Sequence, residues 1–108
     1  MSVRKINKAD WPKYFNDYFL KFLKDKQPEY VELRVLSKDS GSQPEIEWTP
    51  LRGISYDPRN DLLDLSVDKL DHLIYHPVEI YVDDEEDGMI NSMEITKKEG
   101  DKEIIEVR

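Results

Sequence analysis

The stretch WPKYFNDYFLKF, residues 11–22, decides how this chain folds because it carries six of the eleven aromatic residues at helical spacing. The aromatic positions are Trp11, Tyr14, Phe15, Tyr18, Phe19 and Phe22. Asp10 can cap a helix, Pro12 is tolerated in a first turn, and Pro28 opposes continuation of the helix. The pattern predicts an amphipathic helix over about residues 10–26.

The aromatic stripe has two interpretations. It is either an exposed platform that stacks on a partner or a base, or the face by which the helix enters the core. An exposed apolar face of this size would promote aggregation. We therefore expect a buried stripe, including Trp11, Phe15, Phe19 and Phe22.

From Tyr30 onward the apolar residues recur at every second position, which is typical of half-buried strands. The alternating runs lie near residues 31–35, 46–56, 63–67, 78–82, 93–95 and 105–107. Pro50 and Gly53 interrupt one run and indicate a bend or a bulge. Residues 68–75 fit a short helical turn or a loop, and the pattern does not choose between them. The sequence predicts about six strands in a β-meander over residues 30–108.

The length of 108 residues fits one domain, residues 1–108, with one modest core. The fold class is α+β, with an N-terminal amphipathic helix packed on a curved, mostly antiparallel sheet or small barrel of about six strands. Whether the sheet closes into a barrel stays open. The chain has no cysteine, so disulfides, thiolate metal ligands and a cysteine nucleophile are excluded.

Charge is divided unevenly along the chain. Residues 1–28 carry seven Lys/Arg and three Asp/Glu, a net charge of +4, and the remainder carries nine Lys/Arg and twenty-one Asp/Glu, a net charge of −12. An acidic body repels phosphate, which argues against nucleic-acid binding, although the basic N-terminal segment is a local exception. No apolar run approaches a membrane span and no signal-peptide core is visible, so we expect a cytoplasmic protein without membrane contact.

Several stretches resemble a small bacterial family known only as a domain of unknown function. The resemblance lies in Ile6–Phe15 (INKADWPKYF), Gly53–Asp57 (GISYD), Leu70–Pro77 (LDHLIYHP) and the final hairpin. It covers nearly the whole chain and rests on order and spacing rather than on one diagnostic motif. The resemblance implies a single-domain bacterial protein, and it supplies no activity, cofactor or catalytic residue.

Asp71, His72 and His76 are the strongest candidates if the chain has a site. Two histidines four positions apart share a face of a helix or a strand, as zinc ligands often do. A third strong ligand at a recognisable offset is missing, and Pro77 argues against a continuous helix. We therefore expect these residues to border the sheet, with no metal site and no cofactor.

The remaining candidates are weaker. Residues 83–88 (DDEEDG) gather carboxylates but lack the ligand spacing of a calcium loop. The acids at positions 57, 61, 64, 68 and 71 could pair for acid–base chemistry, but acids are abundant in this chain. The serines at positions 55, 66 and 92 lack the turn that exposes a nucleophile, and four scattered glycines form no phosphate loop.

No catalytic constellation emerges, so the favoured interpretation is a non-enzymatic binding or accessory module that recognises a protein or a small molecule as a monomer or homodimer. The alternative is a small-barrel nucleic-acid-binding protein of the Sm-like kind, since a helix followed by a bent barrel has that order. An enzyme ranks third, because it would need a deep pocket with polar groups converging from His72 or Asp71.

Overall fold

The N-terminal helix forms as predicted, but it is assembled from three segments. The computed structural model of the chain describes residues 2–24, 29–37, 41–68 and 70–108. The segments are a 3-10 turn at Lys8–Asp10, the α-helix α1 at Trp11–Tyr18, and a π-helical turn at Phe19–Leu23. The expected helix end at residues 25–26 lies outside the described residues.

The cap at the start of the helix differs from the expected one. Asn7 caps the 3-10 turn, its Oδ1 accepting from Ala9 N at 3.4 Å. Asp10 makes no side-chain cap, because the chain is already helical when it reaches α1. Pro12 lies in the first turn of α1, where its missing N–H has no helical partner to lose.

The π-helical turn changes which aromatic side chains are buried. Lys24 N donates to Phe19 O at 2.9 Å, a spacing of five residues that inserts one extra residue into the turn. Trp11, Phe15 and Tyr18 are buried as predicted. Phe19 and Phe22 are only half-buried, and the phase shift turns Leu23 into the core where a regular helix would place Phe22. The prediction that all four stripe residues are buried is therefore wrong for the last two.

Eight strands form one antiparallel sheet. They are β1 (Ser2–Lys5), β2 (Glu29–Ser37), β3 (Gly41–Asp57), β4 (Leu62–Val67), β5 (Leu70–Tyr75), β6 (Pro77–Asp84), β7 (Ile90–Lys97) and β8 (Lys102–Val107). Their order across the sheet is β1-β6-β7-β8-β2-β3-β4-β5. The sheet therefore ends at β1 on one side and at β5 on the other.

The strand count and topology correct the prediction. The structure has eight strands rather than about six, because β1 precedes the helix and the ambiguous stretch near residues 68–75 contains β5. Two meanders, β2–β5 and β6–β8, replace the single one, and the last strand, β8, pairs with the first strand of the other meander, β2. Part of the expected polar turn, residues 38–40, lies outside the described residues.

The sheet is strongly curved but not closed, so the barrel alternative is not realised. The predicted bulge is confirmed by a register shift between Leu51 and Gly53 on β3. The concave face holds the core, and α1 lies against it. Trp11 packs edge-on to Tyr56 of β3 with ring centroids 5.0 Å apart, and its Nε1 donates to Ile6 O at 2.9 Å.

Candidate binding surface

Strand β5 is the longer of the two edge strands of the sheet. Within the described residues it pairs only with β4. Its side chains Leu70, Leu73 and Tyr75 are 55%, 38% and 54% exposed. The opposite edge, β1, is four residues long and carries Arg4 and Lys5, and a short, charged edge discourages pairing. An added strand is therefore accommodated better at β5 than at β1.

The convex face next to this edge combines apolar and acidic side chains. In the register between the two strands, Leu73 lies opposite Asp64, Asp71 opposite Ser66, and Tyr75 opposite Leu62. Directly opposed residues of an antiparallel pair project from the same face. The convex face of β4 and β5 therefore presents carboxylates beside exposed apolar groups.

Asp71, one of the three predicted site residues, lies on this face. Its Oδ1 accepts a hydrogen bond from the Ser66 hydroxyl at 2.9 Å. The side chain is otherwise exposed to solvent. Asp71 thus lies on the opposite side of β5 from its neighbour His72.

A groove of about 220 Å³ runs between the helix and strands β3 and β4. It is lined by Asn16, Phe19, Gly53, Ile54, Ser55, Asp64 and Ser66. Within the described residues, the buried Oδ1 of Asp64 has no hydrogen-bond partner. Burial, with a contribution from the charge of Asp71, raises the pKa of Asp64 above its ordinary value. The groove is therefore lined by a carboxyl group with one oxygen that has no hydrogen-bond partner in the described part of the chain.

His72 points to the concave face and meets a buried carboxylate there. Its Nε2 lies 2.7 Å from Oε1 of Glu103, a residue that is 2% exposed. Lys97 Nζ lies 3.1 Å from the other oxygen, Oε2. Burial by itself would raise the pKa of Glu103, but the hydrogen bond with His72 and the contact with Lys97 outweigh it, so the pKa is lowered.

His76 lies beyond the end of β5, in a separate contact. It adopts a left-handed conformation with φ of 55° at the bend that leads into β6. Its Nδ1 is 3.4 Å from Oδ2 of Asp61, whose Oδ1 accepts from the Tyr56 hydroxyl at 2.6 Å and lies 3.2 Å from Lys8 Nζ. The hydrogen bond from Tyr56, more than that from Lys8, lowers the pKa of Asp61 despite partial burial.

The structure thus separates the three predicted site residues. Asp71 faces the convex side, His72 the concave side, and His76 a bend. Among the residues that the structure describes, no group of three or more His, Asp or Glu side chains is arranged to hold a metal ion. The spacing of four positions between the histidines does not create a shared site, because His76 follows the end of the strand.

The acidic stretch at residues 83–88 is partly structural. Asp84 is buried at the end of β6, where its Oδ2 accepts from Arg4 Nη2 and from the Tyr14 hydroxyl, both at 2.9 Å. These contacts connect β1, the helix and β6. In the turn that follows, Asp87 Oδ1 accepts from Met89 N at 3.0 Å. Part of the acidic run therefore stabilises the fold.

Sequence reasoning missed Glu103, although a signal was available. Glu103 shares the parity of Ile105 on β8, so alternation places it on the buried face. Asp64 was only one of five candidate acids in the sequence. The orphaned oxygen that distinguishes it depends on how the helix covers β3 and β4, which the local sequence does not indicate.

Comparison with known proteins agrees with the resemblance in the sequence. The model of a family described as "Family of unknown function (DUF5335)" matches residues 2–108. The chain belongs to this family. For the DUF5335 family the description assigns no function, so the chemistry of this member is inferred from its own surface.

One relative of this DUF5335 member is an uncharacterized protein of Aquifex aeolicus (strain VF5). The two are 41% identical over 109 residues, which cover 100% of this chain and 94% of the relative. No solved structure gives a significant match. Within the described residues, no helix is long and apolar enough to cross a membrane.

Proposed function

We propose that this chain is a non-enzymatic binding module that takes up an extended segment of a partner protein along β5. The observation that carries the proposal is the edge position of β5 together with its exposed Leu70, Leu73 and Tyr75. An extended segment that joins a sheet edge gains main-chain hydrogen bonds, while alternate side chains give specificity.

The partner segment is basic as well as apolar. The chain carries a formal net charge of −8, and Asp64 and Asp71 lie on the convex face beside the edge. Opposite charges raise the rate of encounter and favour the correct partner. Alternating apolar and basic side chains would place apolar groups near Leu73 and cations near the carboxylates.

Several contacts favour binding over catalysis. His72 is held between strands by Glu103, and His76 lies against Asp61. Neither imidazole lines the groove at Asp64 or the groove between β1 and the helix. A small-molecule enzyme would need polar groups converging in a cavity.

A cytoplasmic location is part of the proposal.

The small-barrel alternative, binding of nucleic acid, has less support. The open sheet differs from a closed barrel, and Trp11 and Phe15 are buried rather than available for stacking. Two cations of the helix have partners on the protein, since Lys13 pairs with Asp17 at 2.6 Å and Lys21 donates to the Asp87 carbonyl.

The test is a titration of the full chain with a heptapeptide of alternating lysine and valine, followed by amide shifts and hydrogen exchange. We expect saturable shifts and slower exchange confined to β5. The same peptide N-methylated at alternate residues should not bind, because it cannot complete the main-chain ladder. Equal binding of both peptides would overturn the proposal.

Two substitutions complete the design. Leu73→Lys should weaken binding of the lysine–valine peptide by about tenfold or more. The substitution removes an apolar contact and adds a positive charge that repels the lysines of the peptide. Val3→Lys makes the same type of change on β1, at an exposed position of the opposite edge, and should leave binding unchanged. If β5 is instead occupied by a second copy, the wild type will be a dimer by light scattering that Leu73→Lys dissociates, which contradicts the proposed peptide partner.

A further inference from the structure

We propose that the groove between the helix and strands β3 and β4 binds a protonated primary amine, with the Asp64 carboxylate as its counter-ion. This inference goes beyond the proposed edge binding, because it rests on the groove rather than on β5. It assigns a ligand chemistry, an alkylammonium group, to the groove.

The first argument is the unmatched oxygen. Buried polar atoms in folded proteins nearly always have a hydrogen-bond partner, and an unsatisfied one is costly. Asp64 Oδ1 is buried without such a partner in the described part of the chain, yet its residue lines an open groove. Because this oxygen is closed to solvent, a donor in the groove reaches it after the Asp64 carboxyl group rotates, a change that needs no rearrangement of the sheet.

The second argument is charge. The carboxylate of Asp71 projects from the same face and adds to the negative potential at Asp64, consistent with the raised pKa of Asp64. A cation placed in the groove relieves both the burial of one carboxylate and the repulsion between the two. An anion would relieve neither, and a neutral donor could satisfy the oxygen but would leave the repulsion.

The third argument is the lining. Phe19, which is half-buried, lines the groove together with Asn16 and Ser55, two residues whose side chains carry oxygen atoms. An ammonium group has three donors and is attracted to aromatic faces, so this combination suits it. A single unmatched carboxylate oxygen fits a point-charged ammonium better than a guanidinium, which prefers two parallel acceptors.

The test is a titration of the isotope-labelled full chain with n-butylammonium chloride, followed by the amide shifts of Gly53 and Ser66. Sodium butyrate, which has the same chain length and the opposite charge, is the matched ligand control at equal ionic strength. We expect a saturable response to butylammonium and none to butyrate. Equal responses to the two salts would overturn the proposal.

Asp64→Asn keeps the shape of the side chain and removes its charge. It should weaken the binding of butylammonium by about tenfold or more. Asp83→Asn is the matched protein control, because Asp83 also has a buried oxygen without a partner among the described residues but does not line this groove. It should change the affinity by less than about twofold. Unchanged binding to Asp64→Asn, with a thermal melt showing that it is folded, would contradict the proposal.

Two further ligands identify the source of the amine. Nα-acetyl-lysine amide represents a lysine side chain of a protein, and spermidine represents a free polyamine. Tighter binding of the lysine compound at Gly53 and Ser66 assigns the groove to a protein partner, and tighter binding of spermidine assigns it to a small cation. Leu70→Lys changes an exposed apolar residue of the β5 edge that lies on the opposite face of the strand from Leu73 and Asp64. Unaltered titrations of both ligands in this variant distinguish the groove from the β5 edge.

Discussion

The Nε2 atom of His72 lies 2.7 Å from Oε1 of Glu103, although three strands separate β5 from β8 in the sheet. The contact is possible only because the sheet curls until its edge strand approaches the middle of its concave face. Lys97 completes the contact at the other carboxylate oxygen. This buried group connects the edge that we propose as a binding site to the core of the fold.

Acid should destabilise the protein in part through Glu103. The pKa of Glu103 is lowered in the folded state, so its ionised form stabilises the fold above the unfolded pKa of about 4.3. That contribution is lost as the pH falls through the folded pKa. We expect the free energy of unfolding to decline less steeply for Glu103→Gln than for the wild type between about pH 6 and pH 3.

Denaturant melts at several pH values measure this difference. Glu106→Gln is the control, because Glu106 lies on the same strand but is exposed. Its profile should run parallel to that of the wild type. A Glu103→Gln profile with the wild-type slope would show that the buried carboxylate does not titrate below its ordinary range.

The helix should be anchored more firmly by Phe15 than by Phe19. Phe15 is fully buried, so Phe15→Ala should lower the free energy of unfolding by about 3–5 kcal/mol. Phe19 is half-buried at the groove, so Phe19→Ala should lower it by about 1–2 kcal/mol. Denaturant melts of both variants provide the comparison, and equal losses would show that the π-helical turn does not alter the burial of the stripe.

Divalent cations should find no specific site at His72 and His76 or in the acidic stretch. His72 already contacts Glu103, His76 lies in a different contact, and Asp84 is held by Arg4 and Tyr14. Titration calorimetry with Zn²⁺ and with Ca²⁺ checks this expectation. Stoichiometric binding that disappears in His72→Ala or in Asp84→Asn would contradict it.

Nucleic acid should not bind at physiological salt. Such binding depends on phosphate contacts and, for single strands, on exposed aromatic residues. The residues after position 28 carry a net charge of −12, and Lys13 is paired with Asp17. Fluorescence anisotropy with labelled single-stranded RNA and DNA near physiological salt measures whether nucleic acid binds. Saturable binding weakened by Lys21→Glu or Lys24→Glu would favour the small-barrel alternative.

The helix and most strands could be predicted because their signals are local. Period-two alternation located strands such as β4, and Pro50 with Gly53 indicated the bulge on β3. Strand β5 was not predicted because both faces of Leu70–Tyr75 carry apolar residues, which obscures the alternation. Strand β1 escaped because its four residues are too few to display a period.

The sequence by itself determined an α+β domain with an aromatic helix, strands of known phase and an acidic surface, since each depends on neighbouring residues and on composition. Only the tertiary structure decided the strand order, the edge position of β5, the pairing of His72 with Glu103 and the isolation of the Asp64 oxygen. These features join residues far apart in the chain. They follow from the curvature of the sheet and from the place where the helix covers it. The spacing of apolar residues along the sequence predicts neither of these.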